Sequence, residues 1–108
     1  MTDIDFSALV VSLAEIDDDH ATSVALWRAA AAAASAGSAD FADRLDDFVT
    51  HLAEHFAREE GLMRSVDYKE IAHHAAEHAH VVGEARRFLD QARAGRGMMA
   101  RAWVVDMV

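Results

Sequence analysis

The sequence contains no cysteine, which excludes disulfides, thiolate metal sites and redox thiols together. Any bound metal must take nitrogen and oxygen ligands. It contains no proline either, so nothing in the chain forces a helix to stop by removing its amide donor. Strand-forming residues are few and scattered, and this scarcity points to an all-α protein. Basic charge is scarce as well. Ten Lys and Arg face 19 Asp and Glu, giving a net charge of −9. Phosphate backbones need a basic surface, so a nucleic-acid partner is excluded, and the acidic balance reads as solubility. No apolar run approaches the roughly 20 residues that span a bilayer. The start, Met1 to Asp5, is acidic where a secretory leader is basic. A cytoplasmic protein with no membrane partner is expected.

What is present fits one small domain. The 108 residues are 53% hydrophobic, a figure raised by alanine, which favours helix and close helix packing. Residues 1–16 read as an N-terminal arm with Phe6, Leu9, Val10, Leu13 and Ile16 on one side. Asp17, Asp18 and Asp19 read as the start of a first helix, since Asp caps well and suits the positive end of the helix dipole. Helices are expected over about 18–35, 40–63, 68–93 and 98–108, with Gly37-Ser38 and Gly95-Arg96-Gly97 as breaks and Ser38 or Asp40 as a cap. Short loops between long helices imply an up-down-up-down four-helix bundle.

Seven histidines are present, and their spacing carries the functional reading. Leu45, Phe48, Leu52, His55, Glu59 and Leu62 or Met63 fall at helical spacing on one face. Ile71, His74, His78, Val81 or Val82, Ala85 and Phe88 or Leu89 do the same in the next helix. His20 continues to Val24, Trp27 and Ala31. His20, His55, Glu59, His74 and His78 therefore belong to core stripes. A single core histidine is ordinarily a hydrogen-bonded structural residue. Four histidines and a glutamate from three helices would be costly to bury without a shared partner. The pairs His55 with Glu59 and His74 with His78 stand four residues apart, so they project side by side and suit one ion or two neighbouring ions. Histidine with carboxylate suits ferrous iron with open positions, and zinc competes for the same donors.

These residues resemble the hemerythrin family. Ile16-Asp17-Asp18-Asp19-His20 is similar to its "I-D-x-Q-H" segment. His55-Phe56-Ala57-Arg58-Glu59-Glu60-Gly61-Leu62-Met63 is similar to "H-F-x-x-E-E-x-x-M". Tyr68 followed by His74 and His78 is similar to "Y-P-x-x-x-x-H-x-x-x-H", with Lys69 in place of proline. The resemblance implies a non-haem di-iron centre. His20 and His55 would hold one iron, His74 and His78 the other, and Glu59 would bridge them. It implies reversible binding of dioxygen or another small diatomic ligand for carriage, storage or sensing, and not an enzyme. An alternative on the same scaffold is a di-iron oxidase, peroxidase or nitric-oxide-handling enzyme, or an iron-buffering bundle depleted of metal. Trp27, Phe48, Phe56 and Leu62 would wall the pocket or serve as ordinary core.

Several positions depart from the family pattern. Asp19 stands where Gln is usual. His51 stands where tyrosine is common and is expected to be solvated; the other readings are a hydrogen-bond partner of the ligands or an extra ligand. Glu60 is expected to point away from the His55–Glu59 stripe, and His73 and His80 to face solvent. The family's last "H-x-x-x-x-D" has no counterpart. Met107 takes the histidine position if Trp103 is aligned, and otherwise the missing pair would lie past Val108, in a truncated chain or one with a defective fourth helix. Residues 98–108 give a helix of only about 16 Å. A helix that short leaves the bundle open on one side, and a homo-oligomer through the exposed face is expected.

Overall fold

The computed structural model describes residues 6–106, with side chains from residue 14 onward. The acidic start and Met107 lie outside the described residues. Four helices follow in order: α1 (Phe6–Ser35), α2 (Phe41–Ser65), α3 (Ile71–Arg93) and α4 (Met98–Asp106). The described residues contain no strand. Each helix packs on its neighbours in sequence, and α4 closes back on α1. The fold is an all-α four-helix bundle.

The first helix corrects the sequence expectation. α1 runs unbroken through Asp17–Asp19, so those residues are not a helix start and most of the N-terminal arm belongs to α1. The reason is physical. Neither glycine nor proline occurs between residues 6 and 35, and the arm's apolar spacing continues in phase into His20, Val24 and Trp27. A capping Asp contributes only about 1 kcal/mol, and nothing upstream obliges the helix to begin there.

The three turns share one device. After α1, Gly37 at φ 63° donates its amide to Ala34 and Ser38 donates to Ala33. After α3, Gly95 at φ 78° donates to Ala92 and Arg96 to Gln91. After α2 the left-handed position is Asp67 at φ 52°, with amides of Asp67 and Tyr68 on Arg64 and Met63. Each is a Schellman ending, which satisfies the last carbonyls of its helix. At the start of α2, Asp40 holds the cap position but makes no side-chain cap bond. Its carboxylate instead accepts from the Ser38 hydroxyl and from Arg44.

α4 is nine residues long against 30 in α1. It lies against the C-terminal part of α1, where the Trp27 indole donates to the Val104 carbonyl at 3.1 Å. Arg101 donates to the carbonyls of Ala33, Ala34 and Ser38 and rests 4.6 Å from the centre of the Phe41 ring. The core gathers in this four-helix half: Ala30, Ala33, Ala34, Phe41, Leu45, Phe48, Val49, Leu52, Val82, Ala85, Ala100 and Val104. The other half has three described helices, and the histidine stripes run into it.

Candidate metal centre

His55 and Glu59 stand one turn apart on α2, and His74 and His78 one turn apart on α3, so four donors face the gap between those helices. His20 comes from α1. Glu59 is the centre of the arrangement. Its Oε2 lies 3.3 Å from His55 Nε2 and its Oε1 lies 3.6 Å from His78 Nε2. One carboxylate therefore faces two histidines from two helices, one oxygen to each. The His20 ring sits 6.1 Å from the His55 ring, and the His74 ring 6.1 Å from the His78 ring. All five sequence-derived residues thus fall in one row, two histidines on each side of Glu59.

Both separations are longer than an ordinary hydrogen bond and leave room for a shared cation. Nitrogen-to-oxygen hydrogen bonds run about 2.7–3.2 Å. Two donors each 2.0–2.2 Å from a common ion, at ordinary coordination angles, stand roughly 2.8–3.6 Å apart. Both His–Glu59 separations fall in that range. Among the described residues, no three ligating side chains already converge on one point. The donors would have to draw together around each ion.

Burial is uneven. His55 is 4% exposed and the His78 side chain 13%. His74 is half-buried, and His20 is exposed. His20 thus departs from the expected core position, although its ring does approach His55. The cause is the short reach of α4. It meets α1 at Trp27, and among the described residues no fourth helix covers α1 two turns earlier at His20.

A second layer of groups surrounds the row, and sequence spacing does not reveal most of it. His55 Nδ1 faces Asp19 Oδ2 at 3.7 Å, and His78 Nδ1 faces Glu60 Oε1 at 3.8 Å. Both Nδ1 atoms are buried without a hydrogen-bond partner. An unsatisfied buried donor costs about 1–3 kcal/mol, so these two positions matter. Glu60 therefore does not point away from the site as expected; the wrap of α2 carries it to the flank of His78. Asp19 is also bound by Arg58. That guanidinium hydrogen bond holds the Asp19 carboxyl below the usual range, with the Arg58, His55 and His51 charges adding to it against desolvation. Arg58 is raised by the same bond. His51 is not simply solvated, because its Nε2 meets the Asp19 carbonyl at 3.0 Å and ties α2 to α1. The Phe56 ring stacks on His78 at 3.9 Å, nearly parallel at 4°. The Tyr68 hydroxyl stands 3.4 Å from His74 Nε2. His73 and His80 are exposed beside Glu77 and Glu84, as expected. Ser23 is buried at this level with an unpartnered hydroxyl.

Two cavities are present. One of about 440 Å³ opens at the far end beside Phe41, Met98 and Arg101. The other, about 250 Å³, is lined by Ile16, Arg58 and Leu62, so it adjoins α1 and α2 next to the Asp19–Arg58 pair.

Residues 11–107 match the family model described as the hemerythrin HHE cation binding domain. A protein of Ralstonia nicotianae named bacteriohemerythrin is 32% identical over 100 residues, covering 93% of this chain and 71% of that protein. No solved structure gives a significant match.

Proposed function

The chain belongs to the hemerythrin family, and from that premise we propose that it holds two non-haem iron ions in the three-helix half and binds dioxygen, or another small diatomic ligand, reversibly. The observation that carries the proposal is the Glu59 carboxylate set between His55 and His78, with His20 and His74 outside them. His20 and His55 would hold one ion, His74 and His78 the other, and Glu59 both. Ferrous iron, when bound, supplies electrons and an open coordination position for the diatomic ligand. The chain supplies the rest. Leu52 and Phe48 close the core side of the row and keep water from it. Phe56 holds the His78 ring in its plane. The uncovered side at His20 admits the ligand. All five side chains of the row would be engaged as ligands, and Glu60, the remaining carboxylate beside His78, faces that ring's Nδ1, which favours binding over turnover. A cytoplasmic setting belongs to the same reading.

The test is optical. Iron-loaded protein prepared without oxygen should gain a charge-transfer band on oxygenation and lose it on returning to argon. A band that forms once and does not reverse would overturn oxygen carriage. One observation favours a second reading: His20 is exposed, so water reaches that end of the row. Turnover of peroxide or nitric oxide by the same protein would select the enzyme over the carrier.

A further inference from the structure

Five groups form a chain of successive neighbours: Asp19, His55, Glu59, His78 and Glu60. At its centre, Glu59 faces the Nε2 atom of each histidine. At its ends, a carboxylate from a different position faces each Nδ1. We propose that Asp19 and Glu60 are positioning residues that accept the Nδ1–H of His55 and His78, fix both rings in that tautomer, and so turn both Nε2 lone pairs toward Glu59. The inference rests on the metal reading above and assigns roles to residues outside the ligand set.

Each Nδ1 is buried and unpartnered, so each ring lacks an acceptor on its outer side. The nearest candidates are the two carboxylate oxygens at 3.7 and 3.8 Å, and a side-chain shift of under about 1 Å closes either gap to a hydrogen bond. A cation held between each Nε2 and Glu59 needs the bare lone pair there, which leaves the proton on Nδ1, facing the outer carboxylate. The two arms are also braced, each by a different means. Arg58 holds Asp19, and Asp19 shows 18% of its side chain to solvent. Glu60 is similarly enclosed at 17%, and Phe56 stacks on the ring it serves. Carboxylates behind ligating histidines commonly fix ring orientation and tautomer, and their loss lowers metal affinity about 10–100-fold.

The experiment uses Asp19→Ala and Glu60→Ala in the full chain, with zinc as a diamagnetic probe and ring nitrogen-15 NMR as the readout. Wild-type protein should show protonated Nδ1 on His55 and His78, with slow exchange of both protons. Asp19→Ala should disturb the His55 signal and leave His78 in place, and Glu60→Ala should do the reverse. The untouched ring reports in each case that the bundle is folded. Zinc affinity should fall at least about tenfold in both variants. Signals from both rings that survive both substitutions would overturn the proposal, and so would a variant that disturbs both rings alike. If wild-type protein takes up no zinc, the metal reading fails and the proposal with it; if it takes up zinc and both variants keep both ring signals, the metal reading stands and only the positioning roles fail.

Discussion

Single side chains do more in this bundle than their type suggests. Arg101 is charged, yet it binds three carbonyls at the end of α1 and covers the Phe41 ring, joining α4 to the first turn it meets. A cation at a helix C-terminus is favoured by the dipole. Arg101→Met keeps the apolar stem and removes the donors, and is expected to cost about 1–3 kcal/mol in urea unfolding. Asp40 offers a pH test away from the histidines. The Ser38 hydroxyl, then Arg44, hold its carboxyl below the usual carboxylate range. A depressed carboxylate stabilises the fold above its unfolded pKa and loses that contribution as pH falls through the folded value. Stability should therefore drop below about pH 4, and Asp40→Asn should flatten that part of the curve. Asp40 is well exposed, so high salt should shrink the difference.

Three of the four helices are legible in the sequence to within a few residues, because no proline interrupts them and two of their breaks carry Gly37 and Gly95. The break after α2 is harder to read, because Asp67 takes the left-handed turn that glycine takes in the other two. This gives an ordered set of expectations. Gly95→Ala and Gly37→Ala should each destabilise by about 1–2 kcal/mol, the cost of a side chain in that conformation. Asp67→Gly should be neutral or stabilising by up to about 1 kcal/mol, as thermal melts would show. The start of α1 is not legible in the same way. Three Asp residues look like a cap, and capping chemistry cannot reveal that an upstream helix passes through it. The grouping of His55, Glu59, His74 and His78 between α2 and α3 is readable from spacing, since side chains that share a helix face follow helical periodicity, whereas the exposure of His20 is not. The roles of Asp19, Glu60, Arg58 and His51 are not. They reach the row across helices, and only the packing of α1 on α2 and α2 on α3 brings them there.

The molecule as a whole divides by helix count. It extends 52 Å along its long axis and about 20 Å across, and α4 spans only part of that length. Four helices enclose an apolar core at one end, whereas three described helices at the other end carry the polar row. The row buries acceptors and donors that are imperfectly paired, so this half should be the weaker one without metal. Amides of residues 45–52 are expected to exchange slowly with or without metal. Amides around residues 55–60 and 74–78 should gain protection only when metal is added. Ligand binding stabilises a fold by about 2.7 kcal/mol at a hundredfold excess over the dissociation constant, so the melting temperature should rise on metal addition and fall with a chelator.

The central claim is that His20, His55, Glu59, His74 and His78 hold metal together. Metal analysis of the purified chain after anaerobic iron loading tests it most directly. The account predicts close to two iron atoms per wild-type chain and a clear loss in both His55→Ala and His74→Ala. Iron content unchanged in both variants, or no iron in the wild-type chain, would contradict it.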